Sequence, residues 1–195
     1  MRRAVVAGLA ALICFQLSGC AALRGLRPAR SVEPSRVAAF ELDGRINLRL
    51  PKEAFPGRVR WQHWPDADEL WFYSPLGSAV ARLRQDAAGA LLVTAEGREY
   101  RAGDLRQLAY DVLGWDLPLE QLPYWVRGLP GPGEVEHDED SEGRPKTIRQ
   151  AGWQVSYLDW TPAGVKGLPS KLDVQGQRLR MRLAVEAWKV LDEQP

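Results

Sequence analysis

Cysteine is almost absent from this chain of 195 residues: there are two, Cys14 and Cys20, both among the first twenty positions. Everything after Cys20 lacks a thiol for a disulfide, a metal site or a nucleophile, so the folded part must be held by its core alone. Histidine is as scarce, with only His63 and His137. No serine has a nucleophile-elbow context, and no glycine-rich phosphate loop, HExxH motif or paired-carboxylate signature occurs. Catalysis is poorly supplied, and neither a catalytic residue, a metal nor a cofactor is expected; a lipid hydrolase using His63 is the enzymatic alternative. Charge of one sign is missing too. The formal net charge is +1, which argues against nucleic acid as a partner.

The opening segment reads as a leader rather than as part of the fold. Arg2 and Arg3 form a positive n-region before an apolar run from Ala4 to Phe15, too short for a comfortable transmembrane helix. Leu17-Ser18-Gly19-Cys20 then has the layout of a bacterial lipobox, predicting cleavage after residue 19 and lipidation of Cys20. Removing 19 residues from 195 leaves 176, one domain's worth. The removal also takes two of the 26 basic residues, leaving 24 against 25 acidic ones. Two acyl chains plus an amide-linked third make a firm anchor, where one chain alone binds only marginally. Ala21, not aspartate, follows the lipidated cysteine, which directs such proteins to the outer membrane. Residues 20–36, rich in Ala, Arg, Pro and Ser, read as a lipidated N-terminus and tether, and residues 37–195 as a single domain.

That domain is dominated by alternation. In FELDGRINLRL, Phe40, Leu42, Ile46, Leu48 and Leu50 alternate with Glu41, Asp43, Arg45, Asn47 and Arg49, the period of a half-buried strand. Leu179, Met181, Leu183, Val185 and Ala187 repeat the pattern near the end. Weaker alternation over 58–64, 68–74, 78–85, 90–95, 97–102, 146–150, 152–159 and 170–175, broken by Gly, Pro or Asp, predicts an antiparallel sheet. One segment departs from it. Leu105, Leu108, Ala109, Val112 and Leu113 have helical spacing, with Asp104 as N-cap, Gln107 at the capping-box position and Gly114 as stop. Pro118 and Pro123 suit first turns and Gly128 an end, so a helical insert of about 103–128 interrupts the strands. Its apolar face, with Leu105 and Leu108, must cover one face of a curved sheet. Glu134–Glu142 holds six acidic residues and reads as a solvated hairpin loop without a calcium-ligand pattern.

Eight tryptophans are a heavy load. They fit plain core packing, or rings such as Trp61, Trp71, Trp125 and Trp153 lining an apolar cavity between sheet and helices. Arg45, facing away from its apolar neighbours, is either a surface charge or a polar contact at the cavity mouth. Ser74-Pro75-Leu76-Gly77 suits a type I turn. Leucine gains nothing there from turn chemistry, and it either folds back on a neighbour or points at solvent.

The lipobox, LDGRINL (42–48), SPLGS (74–78), LGWDLPLEQLPYWVRGLPGP (113–132), QAGWQVSY (150–157) and RLRMRLAVEAW (178–188) together resemble the LolB family of outer-membrane lipoprotein receptors. The resemblance implies a mainly β fold, an incomplete, half-open antiparallel β-barrel with a helical lid over an apolar cavity. It further implies that this cavity accepts the acyl chains of lipoprotein cargo from a LolA-type periplasmic carrier. The family's exposed leucine maps onto Leu76, making Pro75, Leu76 and Gly77 a loop that inserts into outer-membrane phospholipid. A monomer on the periplasmic face of a Gram-negative outer membrane, anchored through Cys20, follows from the same resemblance. A lipid-anchored scaffold or envelope-assembly module binding a protein partner is the alternative from a different class.

Overall fold

A computed structural model describes residues 30–31, 37–51, 53–114, 119–160 and 165–191. The leader, Cys20, most of the tether, Trp115 and Pro118 lie outside the described residues.

Two two-residue strands, β1 (Arg30–Ser31) and β11 (Val165–Lys166), pair in parallel. The remaining strands are β2 (Phe40–Arg49), β3 (Ala54–Trp64), β4 (Ala67–Tyr73), β5 (Ala79–Asp86), β6 (Gly89–Thr94), β7 (Glu99–Ala102), β8 (Val135–Glu139), β9 (Pro145–Gln150), β10 (Trp153–Trp160), β12 (Pro169–Gln175) and β13 (Arg180–Val190). They form a single sheet of eleven strands in the order β7-β6-β5-β4-β3-β2-β13-β12-β10-β9-β8. Each neighbouring pair is antiparallel, and the first and last strands of this sheet in chain order, β2 and β13, meet in its middle. The end strands β7 and β8 do not pair with each other, so the sheet stays open: an incomplete barrel. Two helices, α1 (Leu105–Leu113) and α2 (Leu122–Val126), interrupt the strands where the helical insert is predicted.

The alternating residues sort as their period demands. Phe40 and Leu42 of β2, Met181, Leu183 and Val185 of β13, Leu172 and Val174 of β12, and Val155 and Tyr157 of β10 are buried together under α2. Ala187 breaks the expected alternation. A β-bulge between Val185 and Ala187 shifts the register, so Ala187 is exposed and Trp188 takes the inward position. Trp188 Nε1 donates to the Pro169 carbonyl at 2.9 Å, and its ring meets Phe40 edge-on at 5.3 Å.

Two strands differ from their sequence reading. β3 begins at Ala54, ahead of the expected residue 58, despite Pro56 and Gly57. Its neighbour β4 ends at Tyr73, opposite Arg58, so residues 54–57 have ladder partners only in β2 and the missing Pro56 N–H is tolerated as on an edge. The acidic run is not a loop throughout. Val135–Glu139 is a strand, and only Asp140–Arg144 forms the turn, where Asp140 accepts the Arg144 N–H at 3.0 Å. β8 is an outermost strand with exposed charges, a composition that discourages edge-to-edge pairing.

Candidate functional site

The helices are built from the residues that sequence assigns them. Asp104 caps α1 by accepting the Gln107 N–H at 2.7 Å, and Gly114, at φ 66°, ends it in the left-handed region. Leu105 and Leu108 pack against Ala90, forming a small buried cluster separate from the main core. α2 belongs to the main core and is held much more firmly. Trp125 Nε1 donates to Gln150 Oε1 at 3.0 Å, and Tyr157 donates its hydroxyl to the Trp125 carbonyl at 2.9 Å. Burial pushes the Tyr157 hydroxyl pKa up, keeping it protonated as that donor. Gln150 also bonds both backbone groups of Gly131, at 2.9 and 2.7 Å, fastening the segment after α2 to β9. Arg127 follows α2, buried, with Nε donating to the Pro123 carbonyl at 2.7 Å and another nitrogen to Val37 O. Burial lowers its pKa, and its guanidinium lies 5.2 Å over the Tyr124 ring.

Between these two clusters lies a cavity of about 130 Å³. Eighteen side chains line it, and all are apolar. The sheet contributes Leu42, Ile46, Leu48, Val59, Trp61, Leu70, Phe72, Leu83, Leu92, Met181 and Leu183; Leu105, Leu108, Ala109 and Val112 of α1 close it with Leu119, Leu122 and Val126. Hydrogen bonding removes the one polar edge nearby. Trp61 Nε1 donates to Asp68 Oδ1 at 2.7 Å, and His63 Nδ1 contacts the same oxygen at 2.8 Å. The cavity offers a ligand volume and dispersion contacts, with no group that could orient a polar substrate.

The expected site residues separate. Trp61, Leu105 and Leu108 line the cavity. Trp71 does not: its neighbours Leu70 and Phe72 face inward, so it lies on the outer face beneath Arg82, whose guanidinium is 5.5 Å from the ring. Trp125 is fully buried in the main core, turned toward Gln150. Trp153 lies further along the inner face and lines an outer recess with Leu50, Phe55, Tyr110 and Leu179. Arg45 is no cavity-mouth contact; its side chain is 70% exposed on the outer face and bridges Glu186 at 2.9 Å. Leu76 is 96% exposed. Its turn is closed by Gly77 N–H donating to Ser74 O at 2.9 Å, with Gly77 at φ 90°, a turn followed by a left-handed residue. His63, buried against Phe40, is occupied by Asp68. Sequence reasoning missed most of the cavity lining, although the inward half of each alternating strand contains it.

Solved structures place the architecture. A LolA superfamily protein from Nitrosomonas europaea matches over 82% of this chain and 89% of its own, with TM-score 0.50 and 9% identity. A DUF1329 family protein from Desulfovibrio piger matches at TM-score 0.50 and 6% identity, over 83% of this chain and 89% of its own. The likeness is one of fold: an open antiparallel sheet shared across very different sequences. The sequence narrows the class: the family model described as outer membrane lipoprotein LolB matches residues 38–188. An outer-membrane lipoprotein LolB of Nitrosomonas europaea is 42% identical over 77% of this chain and 72% of its own. That of Azoarcus sp. is 36% identical over 94% and 96%. The chain belongs to the LolB family.

Proposed function

We propose that this outer-membrane lipoprotein works in lipoprotein localization as a receptor, taking acylated lipoproteins from a soluble LolA-type carrier and inserting them into the outer membrane. The wholly apolar cavity between sheet and helices carries this reading. A protein-binding scaffold has no need of such a void, and its wholly apolar lining suits a hydrocarbon chain. Exposing a dozen methylenes to water costs on the order of 10 kcal/mol, at ~0.8 kcal/mol each. Cargo therefore passes from cavity to cavity without release into the periplasm, down a gradient of affinity toward the bilayer.

At about 130 Å³ the cavity is smaller than the roughly 300–1,000 Å³ of occupied ligand pockets. Loading must displace part of its wall. α1 is the part to move, because its buried cluster is small while α2 is bonded to β9 and β10. Cys20 supplies the lasting anchor through its lipid. Leu76, in the Pro75–Gly77 turn, contacts outer-membrane phospholipid; burying it is worth about 1.5–3 kcal/mol, enough to orient the domain but not to hold it.

A transfer assay tests the reading. A lipoprotein–carrier complex is incubated with this protein and then with outer-membrane vesicles, comparing Leu76 with Leu76→Glu. The unmodified protein is expected to take and deliver cargo, and the Leu76→Glu form to take it and fail at delivery. No uptake by the unmodified protein would overturn the receptor role.

A further inference from the structure

The pairing register brings three turns to one end of the sheet. Arg49 pairs with both Ala54 and Arg180, so the β2–β3 and β12–β13 turns adjoin. Tyr73 pairs with Arg58, which puts the β4–β5 turn carrying Leu76 on the same side of the molecule. α1 starts at the opposite end, where the Leu105 N–H donates to Gln85, and finishes here at Gly114. An open recess of about 870 Å³ lies among the β2–β3 turn, the end of α1 and the β12–β13 turn. Val112 lines both this recess and the apolar cavity. The apolar rows run outward along the same strand faces, from Leu48 to Leu50 and from Met181 to Leu179. The recess is thus the cavity's outer continuation.

Exposure is concentrated at this end. Of five large apolar side chains standing out in solvent among the described residues, four belong to it: Phe55, Leu76, Val80 and Tyr110. The fifth, Leu158, sits in the second half of β10, away from the Gln154–Gln175 pair that marks this end. Arg49 and Arg178 are exposed here, and no ion pair among the described residues includes either, while Glu53 is the acidic residue of the recess.

We propose that this end is a bilayer-docking rim. Phe55 and Tyr110 enter the lipid interface beside Leu76, and Arg49 and Arg178 engage phospholipid phosphates, so the recess opens directly toward the membrane. The proposal rests on the receptor reading and adds to it where the cargo's acyl chains leave. Aromatic rings suit the headgroup level, and paired cations suit an anionic surface.

The test uses the full lipidated protein in phosphatidylethanolamine vesicles, with or without phosphatidylglycerol, carrying nitroxide-labelled lipid. An environment-sensitive fluorophore is attached singly in Phe55→Cys, Tyr110→Cys and Leu158→Cys. Blue-shifted, quenched emission at positions 55 and 110, with neither change at 158, supports the rim. A loss of the phosphatidylglycerol-dependent part of that quenching in Arg49→Gln/Arg178→Gln supports the phosphate contacts. Fluorophores at 55 and 110 that behave like the one at 158 overturn the proposal. The same samples are assayed for cargo transfer: transfer without quenching removes the rim and leaves the receptor reading intact, whereas quenching without cargo uptake removes the receptor reading alone.

Discussion

Gly44 shows how one missing side chain sets the centre of the sheet. A Cβ built there would lie 2.6 Å from the Ala184 carbonyl oxygen and 3.2 Å from the Val185 Cα, backbone atoms beside the bulge of β13. Neither can yield without reopening the β2–β13 ladder. Gly44→Ala is therefore expected to destabilise the fold by about 1–3 kcal/mol, as overpacking does, read as a lower midpoint in urea at unchanged slope. Gly77 differs, since nothing lies within 4 Å of its Cβ position and only its φ of 90° favours glycine. At this scale the sequence was partly legible. The turn chemistry around Leu76 could be read, but not the choice between folding back and pointing out, because that depends on neighbours distant in sequence. The tryptophans were harder still: ring size says nothing of which face a strand buries, and Trp71 is turned outward by the inward Leu70 and Phe72.

At the scale of elements, the two helices differ in what holds them. α2 and its flanks share five bonds with Gln150 and Tyr157, whereas α1 leans on the small cluster of Ala90, Leu105 and Leu108. Amide exchange measured by mass spectrometry is expected to be faster in 105–113 than in 122–126, and to slow in α1 when cargo is bound. On the outer face, Arg182 and then Arg180 hold the Asp173 carboxyl down to about 2, against its ordinary 3.8. Arg182 Nε donates to it at 2.6 Å across the β12–β13 pair. Because the folded pKa is depressed, this stability is fully present above about pH 4 and is lost as the pH falls toward 2. The exposed arginines limit its size. Asp173→Asn should flatten the acid limb of a urea-midpoint profile between those pH values. The helices were legible because their caps and spacing are local, and most strands because alternation is local. The β13 bulge and the edge-like start of β3 were not, since each depends on where a partner strand shifts or stops.

For the molecule as a whole, the cavity separates a trafficking device from a well-packed scaffold, and filling it should block function without unfolding the chain. Ala109 lines the void from α1, the element proposed above to move on loading. Ala109→Trp puts an indole into the apolar void, at little cost to the sheet, whose main core lies with α2. The variant is expected to unfold within a few degrees of the unmodified protein while accepting little cargo from the carrier complex. Asp111→Trp, on the exposed side of the same helix, should leave transfer unchanged and controls for the added ring. Full cargo uptake by Ala109→Trp would mean that the acyl chains lie elsewhere, and the remaining candidate on this face would be the recess behind Phe55 and Tyr110.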